Sequence, residues 1–264
     1  MKAYILYEEQ DAFNNRFFIE EMIEAAKRKD LDLKLIFVDD LDIDSFLARL
    51  DNPLFVWNRT RSASIASKIQ SAGIRIVNKP FVNDLANNKR KTIEFANSLG
   101  IPTVPILDEV RDFPVVIKTV DGHGGDEVAL CQNAEQLSHY EKKWHDRPTL
   151  LQPYIETYAT DLRAWIVGDQ IIGCVKRVGN DDFRSNYTRG GSIEKYSLSE
   201  TQTQQILLLQ KALQSDYIGI DFLLLPNGDW MLNEIEDPVG ARSFYKLFND
   251  DLAEILLNYL VASI

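Results

Sequence analysis

Three carboxylates near the end of a predicted hairpin carry the clearest chemistry in the sequence. Residues 218–237 form two apolar runs around an Asn-Gly pair, a pattern typical of a tight β-hairpin. The expected cross-strand pairs are Leu225 with Trp230, Leu223 with Leu232 and Asp221 with Glu234. Glu236 shares a face with Glu234, because side chains alternate along a strand. Oxygen ligands at this density suit Mg²⁺ or Mn²⁺. The alternative is a set of solvated strand-end acids, with a bulge that changes the register.

A cluster of cations lies in the same part of a chain that is acidic as a whole. The 264 residues carry a net charge of −11, yet residues 163–189 hold five cations. These are Arg163, Lys176, Arg177, Arg184 and Arg189. Cations grouped inside an anionic protein predict a site for a polyanion. The three acids suggest that this polyanion arrives with a divalent metal, as a nucleoside triphosphate does.

A glycine-rich loop could cover such a ligand. Residues 113–119 predict a strand with Lys118 near its end, and the sequence DGHGG at 121–125 follows before a second strand at 127–130. Glycines let backbone N–H groups approach a phosphate closely, and Lys118 adds positive charge at the base of the loop. The loop lacks the G-x-x-x-x-G-K-[ST] pattern and no helix follows it, so an ordinary turn is the alternative.

The first 80 residues must supply a scaffold beside these groups. Short apolar segments alternate with segments of helical spacing, which predicts a small parallel sheet covered on both faces. The predicted strands are 3–7, 33–38, 54–57 and 74–77, and the predicted helices are 14–29, 45–50 and 62–72. Ligands of such sheets bind beyond the carboxyl ends of the strands. Arg59 follows the third strand and could hold a carboxylate, or it belongs to an ordinary basic loop. The dinucleotide pattern G-x-G-x-x-G is absent here.

The remaining residues predict antiparallel hairpins with helices between them. Residues 83–99 form one expected helix with a basic start, and Gly100 ends it. The other expected helices are 134–145, 199–214 and 250–261, and the other expected strands are 149–155, 161–167 and 170–177. The predicted fold class is therefore α/β, with an α+β organisation in the C-terminal part.

Composition argues against several classes of protein. An acidic chain is repelled by nucleic acid and by anionic membranes, so neither is an expected partner. Cys131 and Cys174 fit neither a metal-ligand spacing nor a disulfide framework. The start of the chain has too short an apolar run for a signal peptide, and no apolar stretch reaches the ~18 residues of a membrane-spanning helix. We therefore expect a cytoplasmic protein.

The order of these motifs resembles the ATP-grasp superfamily, and within it the RimK-type branch of carboxylate–amine ligases. The resemblance extends from about residue 78 to residue 245, and its most specific piece is F-R-S-N-Y-T-R-G-G at 183–191. It implies a small parallel-sheet domain before an ATP-grasp domain whose two lobes contain antiparallel sheets. It also implies a homodimer or homotetramer. The implied divisions are 1–80 for the first domain and 81–264 for the second, with lobes at 81–154 over the nucleotide and at 155–264 around the metal.

The resemblance implies roles for individual residues. Contacts with ATP would come from Lys89, Lys118, Gly122, Gly124, Gly125, Gln152, Pro153, Tyr154, Asp161, Arg184, Ser185 and Asn186. The lysines would touch phosphates, the glycines would form the closing loop, and the Q-P-Y segment would meet adenine. Asp161 would approach the ribose. Lys118 and Arg184 would be the catalytic cations at the transferred phosphate.

Glu236 departs from the family pattern. The resemblance implies that Asp221, Glu234 and Glu236 hold two Mg²⁺ or Mn²⁺ ions, although the family's third ligand is Asn in the pattern E-x-N. Asn233 precedes Glu234 and should, by alternation, face away from the acids. The extra charge of Glu236 either tightens metal binding and favours Mn²⁺, or marks a site that has lost activity.

The implied reaction is ATP-dependent ligation of a carboxylate to an amine through an acyl phosphate. The substrate would be an amino acid or a short peptide, recognised by Arg59, Arg189 and Arg242. Two alternatives are open. The first is a phosphotransferase on the same scaffold, with a hydroxyl group as acceptor. The second is a nucleotide-binding module that has lost its chemistry, for which Glu236 is the only support.

Overall fold

The computed structural model describes residues 1–179 and 191–262. Within these ranges the chain forms three β-sheets with helices packed around them. The strands are β1 (Lys2–Tyr7), β2 (Asp32–Phe37), β3 (Val56–Asn58), β4 (Ile76–Val77), β5 (Val115–Thr119), β6 (Val128–Cys131), β7 (Thr149–Pro153), β8 (Thr160–Val167), β9 (Gln170–Val178), β10 (Ser192–Lys195), β11 (Tyr217–Leu224) and β12 (Trp230–Glu236). The helices are α1 (Glu9–Asn14), α2 (Arg16–Lys27), α3 (Ile43–Ala48), α4 (Ala63–Ser71), α5 (Pro80–Ala86), α6 (Lys89–Ser98), α7 (Ala134–Lys143), α8 (Glu200–Leu213), α9 (Arg242–Leu247) and α10 (Leu252–Ala262). None of these helices is long and apolar enough to cross a lipid bilayer.

The N-terminal sheet is parallel, in the order β2-β1-β3-β4. Its central strands are apolar because helices cover both faces. Ile5 packs on one face with Phe18 and Met22 of α2. Leu6 packs on the other face, in the cluster that contains Ile69 of α4. The predicted parallel sheet is confirmed, and its strands β1 and β3 both end beside the site described below.

The face of this sheet that carries α2 also packs against the C-terminal part of the chain. One hydrophobic cluster joins Ile5 and Trp57 to Trp165, Phe244 and Leu256. Helix α10 lies against α2 within this cluster. This packing holds the end of β3 close to the segment that follows β12. The predicted domain boundary at residue 80 and the lobe boundary at residue 154 stay predictions.

A three-stranded antiparallel sheet, in the order β6-β5-β7, carries the glycine-rich loop between β5 and β6. Helix α7 covers one face, where Leu137 and Trp144 pack with Val115 and Ile117. Lys118 lies near the end of β5, at the base of the loop. No helix follows the loop, as the sequence predicted.

A five-stranded antiparallel sheet, in the order β10-β9-β8-β11-β12, forms the C-terminal part. Its apolar face packs on α8 through Ile206 and Leu209. Phe222 and Trp230 stack across β11 and β12 with ring centroids 3.6 Å apart. The predicted antiparallel organisation is confirmed. The sequence did not predict β10 and α9, which are too short to show a hydrophobic period.

The predicted helix at 83–99 is instead two helices, α5 and α6. Pro80 occupies the first turn of α5, a position that proline tolerates because its missing N–H has no partner there. The Asn88 side chain accepts a hydrogen bond from the Lys91 N–H at 3.0 Å and caps α6. The break places Lys89 at the start of α6, and its N–H donates to the carbonyl of Val120 at 2.9 Å.

The register of the last hairpin differs from the prediction at its turn end. Trp230 pairs with Leu224, and Leu232 pairs with Phe222, so the predicted partners Leu225 and Leu223 were wrong. A bulge beside Asp221 then shifts the register by one residue. The predicted pair of Asp221 with Glu234 is therefore confirmed. Counting from the turn missed the bulge because a bulge leaves no trace in an alternating apolar pattern.

Candidate active site

Three carboxylates converge where β11 and β12 run side by side. One carboxylate oxygen of each of Asp221, Glu234 and Glu236 lies within 4.8 Å of the other two. Asp221 pairs directly with Glu234, and Glu236 lies two residues further along β12. Asp221 is 2% exposed, and the two glutamates are partly buried. A compact set of hard oxygen donors fits Mg²⁺ or Mn²⁺. The structure thus brings the three predicted acids together, and their role as metal ligands stays a prediction.

Asn233 faces the same cavity as the acids. Its Oδ1 accepts a hydrogen bond from Lys118 Nζ at 2.8 Å, and it lines the cavity beside Glu234. The expectation that Asn233 faces away was therefore wrong. Strict alternation fails because the bulge puts one extra residue into β12 between Leu232 and Glu234.

Two arginines from β8 and β9 hold the acids. Arg163 donates to Asp221 through Nε at 2.8 Å and Nη2 at 2.7 Å, and its Nη2 also donates to Glu236. Arg177 donates through Nη2 to Asp221 at 2.7 Å. Its Nε and Nη2 donate to Asp161 at 2.6 and 2.7 Å. These two cations were expected to face a polyanion, but they form buried ion pairs with the acids themselves.

The ion pairs change the acidity of the carboxylates in opposite directions. Burial alone would raise the pKa of Asp221, but Arg163 and Arg177 outweigh burial and lower that pKa to about 2. Burial raises the pKa of Glu236 to about 7, with Arg163 opposing the change and the charges of Asp221 and Glu234 adding to it. Asp221 is thus a permanent anion, whereas Glu236 exchanges a proton near neutral pH.

Two lysines approach the acids from the side of the glycine-rich loop. Lys89 Nζ donates to the carbonyl of Gly122 and lies 3.8 Å from Glu234 Oε2. Lys118 is 9% exposed, and burial lowers its pKa to about 8, with Glu234 opposing the change and Lys89 adding to it. An anionic ligand at this point would favour the charged form of Lys118.

Polar contacts tie the glycine-rich loop to its own sheet. Thr119 Oγ1 donates to Glu127 Oε2 at 2.8 Å. Arg147 pairs with Glu127 and, at 2.6 Å, with Asp121. A Cβ atom at Gly122 would lie 2.6 Å from Glu127 Oε2, so a larger residue here would displace the Thr119 and Glu127 side chains that hold the loop. Sequence reasoning missed Arg147, because it follows α7 without any local motif.

The acids lie on the boundary between two cavities. The inner cavity, of about 140 Å³, lies between the three-stranded and the five-stranded sheets. The outer cleft, of about 360 Å³, lies between the N-terminal sheet and the end of β12. Both cavities are lined by Lys89, Gly122, His123, Gly124, Arg177, Glu234 and Glu236. Two ligands, one in each cavity, would therefore come close to each other beside Glu234 and Glu236.

The described residues predicted to contact ATP line the inner cavity. They are Lys89, Lys118, Gly122, Gly124, Gly125, Gln152, Pro153, Tyr154 and Asp161. Apolar side chains complete the wall, among them Val104, Val116 and Leu223. Gln152 Nε2 donates to the carbonyl of Val104 at 2.9 Å, so this side chain fixes the wall. The predictions at Arg184, Ser185, Asn186 and Arg189 lie outside the described residues.

The outer cleft contains the other two arginines that were predicted to contact substrate. Arg59 is 2% exposed, and Arg242 is exposed with Nη2 donating to the carbonyl of Asn14 at 3.1 Å. The cleft also contains groups that the sequence did not reveal. Arg61 Nη1 pairs with Asp11 at 2.6 Å. The pair joins α1 to the segment after β3, at the carboxyl edge of the parallel sheet, which no local motif could show.

Comparisons with known proteins agree with this arrangement. The sequence matches the RimK-like ATP-grasp domain family over residues 85–260. An uncharacterized protein of Mycoplasma genitalium is 26% identical over 268 residues, which cover 99% of this chain and 93% of that protein. Beta-citrylglutamate synthase B of Mus musculus is 30% identical over 215 residues, which cover 74% of this chain and 55% of that enzyme. The match thus spans about half the length of the mouse enzyme.

A solved structure shares the fold. The ATP-grasp ligase PsnB, complexed with its minimal precursor, Mg and ADP, superposes with a TM-score of 0.72 at 14% identity, over 98% of this chain and 96% of that one. At this identity the likeness concerns the fold alone. Together, one parallel and two antiparallel sheets, a glycine-rich loop beside three clustered acids and the match over residues 85–260 show that the chain belongs to the RimK-like ATP-grasp family.

Proposed function

We propose that the protein is an ADP-forming ligase that joins a carboxylate to an amine. One observation carries the proposal: two cavities of different character share a wall that contains the clustered acids. A ligase of this class must hold ATP on one side of its metal and the two organic substrates on the other. The inner cavity suits the nucleotide, and the outer cleft suits the substrates.

The inner cavity offers different chemistry at its two ends. Apolar side chains and the backbone of 152–155 suit a purine base. Lys89 and Lys118 lie beside the glycine-rich loop, where phosphate groups need positive charge. Asp161 also lines this cavity, and we assign it a role near the ribose.

The clustered acids are suitable ligands for Mg²⁺. Asp221, Glu234 and Glu236 supply only hard oxygen donors, and they already lie within 4.8 Å of one another. Mg²⁺ held there would neutralise phosphate charge during transfer. We propose two ions, in line with three carboxylates and a triphosphate. The same donors accept Mn²⁺.

The reaction that fits this arrangement proceeds in two steps. A carboxylate oxygen in the outer cleft attacks the γ-phosphorus of ATP, the bond to ADP breaks, and an acyl phosphate forms. The amine nitrogen then attacks the acyl carbon, the bond to phosphate breaks, and an amide forms. The ammonium substrate loses two protons, one to phosphate and one to solvent. Lys118 stabilises the developing charge, and closure of the loop at 121–125 excludes water. We assign Arg184 a second catalytic charge.

Phosphate and ADP release test the proposal. The protein is incubated with Mg·ATP, each of a set of carboxylates that includes citrate, and each of a set of amines that includes L-glutamate and the other amino acids. We expect ADP only when both a carboxylate and an amine are present. With hydroxylamine in place of the amine, we expect a hydroxamate, the product of a trapped acyl phosphate.

The same assay separates the alternatives. ADP release that needs only an alcohol would identify a phosphotransferase. Tight binding of Mg·ATP without turnover on any pair would identify a module that has lost its chemistry. We propose a cytoplasmic location, in keeping with Cys131 and Cys174, which are both buried and free. We keep a homodimer or homotetramer as the expected assembly.

A further inference from the structure

Several buried polar atoms below the outer cleft lack a hydrogen-bond partner within residues 1–179 and 191–262. They are Trp57 Nε1, Arg59 Nη1, Asn83 Oδ1, Tyr217 OH and Asp237 Oδ1. Buried polar groups are nearly always paired, so a concentration of unpaired ones calls for a physical reason. Among these atoms, Arg59 and Asp237 carry opposite charges, and both residues line the outer cleft.

Arg59 is a buried cation that is held in place but not neutralised. Its Nε donates to Tyr7 OH at 2.9 Å, and its Nη2 donates to the carbonyl of Val239 at 2.9 Å. The guanidinium carbon lies 4.9 Å from the ring centroid of Phe18 and 5.4 Å from that of Trp57. No carboxylate within the described residues forms an ion pair with it. Its orientation is therefore fixed, and its buried Nη1 group lacks a hydrogen-bond acceptor in a residue that lines the cleft.

Asp237 is the complementary group. Its Oδ2 accepts a hydrogen bond from Asn83 Nδ2 at 3.1 Å, and no cation of the described ranges forms an ion pair with it. Asn83 Oδ1 and Asp237 Oδ1 are the two buried acceptors of the group. Asp237 directly follows Glu236, so a cation bound to it would lie beside the clustered acids. The Val239 carbonyl, two residues on, contacts Arg59 and keeps the two charges near each other.

We propose that Arg59 and Asp237 bind the two ends of the head group of a free α-amino acid, which is the amine substrate. The α-carboxylate accepts hydrogen bonds from Arg59, and the α-ammonium donates to Asp237. This inference rests on the proposed ligase function. It names a zwitterion, because a lone carboxylate would leave Asp237 unmatched and a lone amine would leave Arg59 unmatched.

The position of Asp237 agrees with the reaction. The amine must reach an acyl phosphate that forms at the clustered acids. An ammonium group on Asp237 would lie one residue from Glu236, whereas the carboxylate would lie on Arg59, which follows β3 in another part of the cleft lining. The head group would thus enter with its nitrogen toward the acyl carbon. Both anchoring residues are 2% exposed, so the head group would meet them at the floor of the cleft.

Binding of modified amino acids tests the proposal without relying on turnover. Each L-amino acid is titrated into the protein in the presence of Mg²⁺ and a non-hydrolysable ATP analogue, and heat is measured. We expect at least one amino acid to bind. Its α-carboxamide and its N-acetyl derivative should bind ~30-fold more weakly, because each removes one charge from a buried pair. Equal binding of the blocked forms, or binding of no amino acid, would overturn the proposal.

Two substitutions locate the head group. Asp237→Asn keeps the shape of the side chain, and it should weaken the amino acid ~30-fold while leaving its 2-hydroxy analogue within about twofold. Arg59→Met should weaken both ligands, and Arg59→Lys should recover part of the loss. Asn15→Ala, elsewhere in the same cleft, is the control and should change neither ligand beyond about twofold.

Affinity for the ATP analogue shows whether each variant is folded at the site. It should stay within about twofold in every variant. If the Arg59 variants fail to fold, Asp237→Asn and the blocked amino acids still test the head-group site. If the unpaired atoms bind only water molecules, the blocked and the free amino acids should bind equally. If blocked amino acids bind more weakly but no pair releases ADP, the ligase function fails and the head-group site stands. If pairs release ADP and the α-carboxamide, whose amine is still free, reacts as well as the unmodified amino acid, only the head-group site fails.

Discussion

Arg163→Met should strengthen binding of Mn²⁺ although it removes a buried ion pair. Arg163 donates to both oxygens of Asp221, at 2.8 and 2.7 Å, and also to Glu236. A metal ion on these carboxylates competes with the guanidinium group for the same oxygen atoms. Without Arg163 the acids keep only Arg177 as a paired arginine, at Asp221, and the larger net negative charge favours a divalent cation. The substitution should thus affect metal affinity and stability in opposite directions.

The magnitudes follow from the hydrogen bonds. A bond that involves a charged group contributes about 1.5–3 kcal/mol, and 1.4 kcal/mol is a factor of ten in affinity. If the metal displaces one such bond, Arg163→Met should tighten Mn²⁺ binding about 10- to 100-fold. Removal of one partner from a buried pair destabilises a protein by about 3–5 kcal/mol. The melting temperature without metal should therefore fall by roughly 6–20 °C, and saturating Mn²⁺ should restore more of it than in the wild type.

Calorimetric titration of Mn²⁺ without nucleotide measures the affinity, and thermal unfolding with and without Mn²⁺ measures the stability. Lys176→Met is the matched control, because Lys176 on the neighbouring strand pairs at 3.0 Å with the exposed Glu194. It should leave Mn²⁺ affinity unchanged. Arg163→Lys retains the charge without the bidentate geometry and should give an intermediate affinity. Unchanged or weaker Mn²⁺ binding by a folded Arg163→Met protein would refute the competition.

Other consequences concern the acids, the loop and the substrate cleft. Asp221→Asn should abolish metal-dependent ADP formation and destabilise the fold by up to about 3–5 kcal/mol, because two buried guanidinium groups each lose one of their two carboxylate partners; retained turnover would contradict the metal site. Gly122→Ala should raise the KM for ATP at least about tenfold, whereas Gly240→Ala, with nothing within 4 Å of the added Cβ, should not. Burial raises the pKa of Glu236 from 4.5 to about 7, so protons compete with metal below that pH. Mn²⁺ affinity should rise by up to about tenfold per pH unit toward pH 7 and level off above it, and a flat profile would contradict this. The raised pKa of Glu236 also stabilises the metal-free protein at low pH. That contribution to stability is lost as the pH rises to about 7. Arg242→Ala should raise the amino-acid KM with little effect on ATP binding.

Secondary structure was predictable where the apolar period matches the element. The parallel sheet at 1–80 was read from short apolar runs that alternate with amphipathic helices, and the structure confirms it. Each hairpin was read from a glycine turn between apolar strands. The predicted boundaries of helices were wrong where a capping side chain determines where a helix begins. Asn88 starts a new helix by accepting a hydrogen bond from the Lys91 N–H, and nothing in the period of 83–99 marks that break.

The candidate site was predictable in its residue types but not in its pairing. Asp221 and Glu234 were placed together by counting from a turn, and a bulge corrected an error in that count. The same bulge turned Asn233 toward Lys118, which lies 115 residues away in sequence. The Arg163–Asp221 contact spans 58 residues. Contacts between distant segments depend on how the sheets pack, and local patterns carry no information about that packing.

Glu236 shows why these pairings matter for function. From the sequence alone, an extra acid in place of the family's Asn suggested either tighter metal binding or lost activity. In the structure its charge is shared with Arg163, which also donates to Asp221. The third carboxylate therefore adds a negative charge that a guanidinium group already offsets. In this arrangement five buried or partly buried charges from four adjacent strands are mutually paired or clustered, so Glu236 is built into the ion pairs of the site. We therefore propose that Glu236 and Arg163 form a charge pair that sets metal affinity, which the Mn²⁺ titration of Arg163→Met tests.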